Sequence, residues 1–298
     1  IYADLQLRNI DYQTSGSTSN IDQLVVDKKY SFFNPKAGLN YDINQKNKIF
    51  FSLSKAHREP TRSDFENNIN IQPEELIDYE LGWKYNSEKF FFNSNLYYMG
   101  YKNQLVLTGA LDDVGSPIRE NSGKSYRTGI ELESVYKATN KLNISANISF
   151  SENKNVDYKT NYNGVITDWG DTDISFSPNV ISSAGIQFSA SQDLTFTLLN
   201  KFVGNQYMSN TESNISKLSS YSTTDLNILY TIKNSAYFSE IIVTAMINNI
   251  FNKEYVSNGY YYTYDDTWSD PNLITTIEGT GYYPQAKRNF LLGLTFKL

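Results

Sequence analysis

The stretch "LNISANISF" (Leu142 to Phe150) decides the fold. Leu142, Ile144, Ala146, Ile148 and Phe150 alternate with Asn143, Ser145, Asn147 and Ser149. Successive side chains of a strand point to opposite faces, so unbroken period two reads as a strand with one apolar and one polar face. The pattern spreads outward from there. "LIDYELGWKY" (Leu76 to Tyr85) sends Ile77, Tyr79, Leu81, Trp83 and Tyr85 one way, and Asp78, Glu80, Gly82 and Lys84 the other. "RTGIELESVY" (Arg127 to Tyr136) sets Ile130, Leu132 and Tyr136 against Arg127, Glu131 and Glu133. The chain starts with Ile1, Ala3, Leu5 and Leu7 opposite Asp4, Gln6 and Arg8. It finishes with Phe290, Leu292, Leu294, Phe296 and Leu298 opposite Asn289, Leu291, Gly293, Thr295 and Lys297.

Read this way, the chain holds about twelve strands, near 1–11, 31–42, 48–56, 75–85, 89–102, 124–137, 142–153, 177–189, 194–205, 220–231, 238–249 and 286–298. Connections alternate in length. The short ones are 43–47, 86–88, 138–141, 190–193 and 233–236. The long ones lie near 12–30, 57–74, 103–123, 154–176, 206–219 and 250–285. Short turns on one side and long loops on the other describe an antiparallel transmembrane β-barrel. In hydrocarbon every backbone N–H and C=O must be paired, which only helices and closed barrels achieve. No run approaches the ~20 apolar residues of a membrane-spanning helix; the longest, "IIVTAMI" (Ile241 to Ile247), is far shorter. A barrel also turns its apolar face to lipid and its polar face to a lumen, which explains the glutamates in mid-strand. A soluble sandwich alternates too. Its apolar faces, however, would carry more aliphatic residues and fewer than the 24 Tyr and 17 Phe found here, which suit interfacial girdles.

Composition excludes several function classes. A net charge of -6 speaks against nucleic acid as a partner. Absence of cysteine removes disulfides and thiolate chemistry, and a single histidine, His57, leaves no histidine cluster for a metal. No cofactor is expected. Asp78, Glu80, Glu131 and Glu133 repeat at strand spacing facing the lumen, where they read as partners of basic groups rather than as a catalytic pair. The expectation is a protein that is not an enzyme. Asp265, Asp266 and Asp270 match no fixed calcium-loop spacing.

Three segments together resemble the barrel of a TonB-dependent outer-membrane receptor. "AHREPTRSDF" (Ala56 to Phe65) is similar to the family's aromatic-Arg-x-Pro-Thr stretch, with His57 in place of the aromatic. "IQPEELIDYELGWKY" (Ile71 to Tyr85) resembles its Pro-Glu…Glu-x-Gly element. "INNIFNKEYVSNGY" (Ile247 to Tyr260) with "YYPQAKRNFLLGLTF" (Tyr282 to Phe296) resembles its penultimate strand, hook, last loop and final strand. The middle stretch Tyr98 to Glu133 reads like receptors of Bacteroidetes-type bacteria. The resemblance implies a 22-stranded barrel with an N-terminal plug that contacts TonB. Residues 1–298 would then be its C-terminal part, about twelve strands without the plug. It implies a Gram-negative outer membrane, contact with outer-membrane lipid and lipopolysaccharide, and energy-coupled import of a small-molecule or oligomer cargo such as a ferric siderophore, haem, cobalamin or glycan. The alternative is a complete twelve-stranded channel or autotransporter barrel, in which the first and last strands pair.

Cargo contacts are expected in the long loops. Arg58, Arg62, Arg119, Lys124, Lys287 and Arg288 offer cations for an anionic ligand, or loop ion pairs and lipopolysaccharide contacts. Tyr260, Tyr261, Tyr262, Tyr264 and Trp268 offer rings for a planar or sugar-like ligand, or an interfacial girdle.

Overall fold

The computed structural model describes residues 1–17, 21–111, 117–162, 165–233, 237–266, 268–269, 273 and 275–298. In chain order the elements are β1 (Tyr2–Gly16), β2 (Leu24–Asn44), β3 (Asn47–Arg58), helix α1 (Arg62–Asn67), β4 (Glu74–Asn86), β5 (Phe90–Lys102), β6 (Leu105–Leu111), β7 (Pro117–Asn121), β8 (Lys124–Thr139), β9 (Leu142–Tyr162), β10 (Val165–Asp173), β11 (Val180–Ser189), β12 (Leu194–Val203), β13 (Gln206–Tyr207), β14 (Lys217–Leu218), β15 (Tyr221–Lys233), β16 (Glu240–Asn248), β17 (Val256–Asp266), β18 (Thr275–Pro284) and β19 (Asn289–Lys297). Twelve of these form one antiparallel wall in the order β1-β2-β3-β4-β5-β8-β9-β11-β12-β15-β16-β19. The twelve strands expected from the alternation are all there.

The register explains why the wall has two distinct faces. Across seven strands, Tyr136, Ile144, Ile186, Leu198, Leu226, Ile247 and Phe290 stand directly opposite one another. One residue along, the row on the other face reads Lys137, Asn143, Gln187, Thr197 and Asn227. A slip by one residue would exchange the faces, so this pattern pins the pairing. The apolar face is bare even in the middle of the wall: Leu81 is 51% and Leu96 50% exposed. A soluble protein rarely leaves so continuous an apolar surface uncovered. Polar-face side chains bond to each other instead. Ser52 donates to Glu80 (3.0 Å), Asn143 to Gln187 (3.2 Å) and Asn147 to Ser183 (2.8 Å).

β19 pairs with β16 on one side, and among the described residues no ladder joins it to β1. The pairing that a closed twelve-stranded barrel needs is therefore not formed. Strand limits differ from expectation mainly on the long-loop side. β1 and β2 pair all the way to Gly16 and Leu24, and β9 runs on to Tyr162. Beyond the lipid the outer face need not be apolar, so alternation fades there while backbone pairing continues. For the same reason the stretches 103–123 and 250–285 are hairpins rather than open loops, and 57–74 contains α1.

Candidate functional site

The loop segments on the long side pack into one cluster. The first anchor is the motif stretch after β3. Thr61 caps α1, and the Asp64 carboxylate accepts from the Thr61 N–H (2.7 Å), closing a capping box. A six-residue helix is not stable by itself, so tertiary contacts hold it. Phe65, fully buried, packs with Leu24, Val26, Ile71 and Leu105 and stacks on Tyr12 at 5.5 Å. Asp64 is 2% exposed and takes both prongs of the Arg119 guanidinium from β7, at 3.0 and 3.2 Å. Asn121 and Gln72 exchange reciprocal bonds at 2.8 and 3.0 Å, tying β7 to the start of β4.

The second anchor is amide-based. Asn155 and Asn210 are essentially unexposed. The Asn155 amide donates to Asn210 Oδ1 (3.2 Å) and Thr172 (3.3 Å). Asn210 in turn donates to the Leu107 carbonyl (2.7 Å) and accepts from the Ser175 N–H (2.9 Å). One node thus joins β9, β10, β6 and the segment before β14. Above it, β17 and β6 meet in parallel and complete a small sheet, β18-β17-β6-β7. Met208, Leu218 and Tyr261 form its apolar underside.

The third anchor is Asn249, in left-handed conformation (φ 52) and 4% exposed. Its amide donates to the carbonyls of Lys253 (2.8 Å) and Ala286 (3.3 Å), and its oxygen accepts from the Lys253 N–H (2.9 Å). It clamps both ends of the last loop, which gives the "NNIFNKEY" stretch its structural meaning.

Among the hairpins that these anchors dock lies a cavity of about 610 Å³, within the ~300–1,000 Å³ usual for ligand sites. Its lining includes Asn68, Arg119, Glu120, Trp169, Tyr261 and Glu278, together with six threonines. Glu120 accepts from the buried Tyr158 hydroxyl (3.2 Å), and Glu278 from Tyr261 (2.6 Å) and Ser213 (3.0 Å). Burial raises the Glu120 carboxyl above its ordinary range, against the lowering effect of the Tyr158 bond. Burial and the neighbouring glutamate charge push the Tyr158 and Tyr261 phenols well up, so both stay protonated and keep donating.

Of the residues singled out in the sequence, the cavity gathers Arg119 and Tyr261. Arg58 pairs with Glu74 (3.1 Å) and Arg62 with Glu66 (2.7 Å). Lys287 pairs with Glu254, and Arg288 gives its backbone N–H to Asn252 (3.1 Å). Lys124 opens β8. Tyr260, Tyr262 and Tyr264 project from the face of β17 opposite Tyr261, with rings 6.2 and 6.4 Å apart. The first two lie over Gly281 and Gly279, where a Cβ would come within 2.2 and 2.3 Å of the tyrosine rings. Trp268 is 88% exposed. His57 stacks on Phe32 at 4.8 Å and meets Asn34 (2.7 Å) and Glu75 (3.3 Å). Sequence reasoning missed Glu120, Trp169 and Glu278. No local pattern marks them, because three separate hairpins bring them together.

The family model described as "TonB dependent receptor-like, beta-barrel" matches residues 3–252. No curated protein matches the chain. Among solved structures, the siderophore receptor PiuA from Acinetobacter baumannii superposes with TM-score 0.73 at 17% identity, over 99% of this chain and 40% of that one. The ferric yersiniabactin uptake receptor FyuA from Yersinia pestis gives 0.64 at 16%, over 95% and 40%. The copper transporter OprC gives 0.67 at 16%, over 91% and 40%. At such identities the likeness is one of fold. The chain spans about 40% of the length of these relatives.

Proposed function

We propose that this chain, which belongs to the TonB dependent receptor-like β-barrel family, is the C-terminal part of an outer-membrane receptor that imports a scarce nutrient. The observation that carries this reading is the family match across residues 3–252. The apolar row faces lipid, the polar row faces a lumen, and the loop cluster caps that lumen on the cell exterior. The cavity at the loop cluster receives the cargo before it passes inward. The remaining barrel strands and the plug complete the wall and fill the lumen, and the plug carries the contact to the TonB complex. Lipopolysaccharide meets the outer rim. Cargo of the kinds named for the structural neighbours, a siderophore or a metal complex, fits this reading, as do haem, cobalamin or a glycan. Its work is binding and transport, with no bond made or broken.

The test uses a strain lacking the complete receptor gene and its complemented counterpart, compared on a panel of sole iron and carbon sources. At least one source should be lost with the gene and regained only while TonB and the proton gradient are intact. Identical growth on every source, or uptake indifferent to collapse of the gradient, refutes the reading.

A further inference from the structure

The cavity beneath the β6–β7 and β17–β18 hairpins has a one-sided charge. Among the described residues its single lining cation, Arg119, is already engaged by Asp64, a carboxylate 2% exposed. Its two lining carboxylates are not so matched. Glu120 is held by the Tyr158 hydroxyl, and Glu278 by the Tyr261 and Ser213 hydroxyls. Among the described residues neither glutamate has an ion-pair partner. Neutral donors orient a carboxylate but leave its charge in place, and in a partly enclosed site that charge acts strongly on whatever enters. An anion is repelled there. A cation gains charge-assisted hydrogen bonds.

The rest of the lining narrows the class further. Six threonines line the cavity; Thr108 and Thr276 already donate to the Ile118 carbonyl and to Asp265, yet their oxygens still accept, which suits a polyhydroxylated body. Trp169 has its indole N–H bonded to Thr160 (3.0 Å), so what it offers the cavity is apolar ring surface. Such surface stacks against a sugar ring and attracts an adjacent ammonium.

Building on the import reading, we propose that this cavity seats a hydroxylated organic cation of the amino-sugar class. The ammonium is drawn to the Glu120 and Glu278 carboxylates, the hydroxyls to the threonines, and the ring face to Trp169. The burial that raises Glu120 adds a signature. A bound ammonium favours the ionised carboxylate, so binding releases protons and strengthens as pH rises through the Glu120 titration.

The test titrates three disaccharides of similar size into the complete purified receptor by calorimetry at mildly acid pH. They are chitobiose with free amines, its neutral N,N′-diacetyl form, and digalacturonate. The diamine should bind at least about tenfold more tightly than the neutral form, as for one charge-assisted bond, and the acid should bind weakest. Glu278→Gln, at an exposed position, should erase about tenfold of the diamine's affinity and leave the neutral sugar unchanged. Glu120→Gln should abolish the buffer-dependent proton release. Equal affinity for all three, tightest binding of the acid, or no binding of the diamine overturns the proposal. Because the assay needs no transport, its outcome is independent of the gradient-coupled uptake test. Import can fail while the cation site stands, and the reverse.

Discussion

Replacing Leu198 with arginine, beside a matched change of Thr197, tests the assignment of the two faces at one depth. The apolar side of β9 runs from Leu142 to Phe150 with Ala146 at its centre. At ~3.3 Å per residue and ~45° tilt, those nine residues rise about 19 Å, most of the ~25 Å apolar band of a barrel. Leu198 lies at the middle of its own strand β12 (Leu194–Val203), in the apolar row with Ile186 and Ile144. Its Cα is thus within about 5 Å of the midplane. An arginine on the lipid face costs about 2–4 kcal/mol at the midplane, and 5 Å of offset trims this to roughly 2–3 kcal/mol. Thr197 sits at the same height in the row of Asn143, Gln187 and Asn227, so Thr197→Arg places its charge among polar groups and should cost under ~1 kcal/mol. Urea-dependent folding of the complete receptor into lipid vesicles, read by heat-modifiable gel mobility, gives both values. Equal losses from the two changes, or a larger loss from Thr197→Arg, would refute the face assignment.

Asp64→Ala removes the acceptor of both the Arg119 fork and the α1 capping box; breaking a buried ion pair costs about 3–5 kcal/mol. The loss should appear as faster hydrogen exchange in 61–67 and 117–121 with the wall strands unchanged, and uniform exchange across the chain would show that the loop cluster is not a separate unit. Asn249→Ala loses three hydrogen bonds at ~1 kcal/mol each and strains a left-handed residue by a further ~1–2 kcal/mol, whereas Asn249→Gly should keep the backbone and lose only the bonds. Protease nicking of 250–288 should therefore rise more in the alanine variant, and the opposite order would discard the strain argument. Glu120 holds its proton in the folded loop at pH values where the unfolded chain has lost it, so loop stability should fall as pH rises from the ordinary glutamate range through the raised one. Exchange protection of 117–121 should show that fall in the native receptor and not in Glu120→Gln; a matching fall in both would assign it elsewhere.

The sequence by itself determined the wall. Period two is a local property of a strand, and two solvents on two faces write it directly into residues such as Leu142 to Phe150. The short turns and the strand count follow from the same constraint. The motif after β3 was legible as a pattern, while its role as a capped helix held by Phe65 and Asp64 was not, because the partners Tyr12 and Arg119 lie 53 and 55 residues away. Above the lipid, only tertiary structure decided. There both faces of a hairpin meet water or other hairpins, so alternation no longer reports a face. For Arg58, Arg62 and Arg119 the sequence left ligand contact and loop ion pairing both open, and the fold pairs them with Glu74, Glu66 and Asp64. Tyr261 turned inward while Tyr260 and Tyr262 turned out, a split that strand parity foretells without saying which side holds the cavity. Glu120, Trp169 and Glu278 come from three hairpins far apart in sequence, and nothing local in the chain requires them to share a wall. Their meeting depends on how the Asn155–Asn210 node and the β17–β6 contact dock those hairpins together.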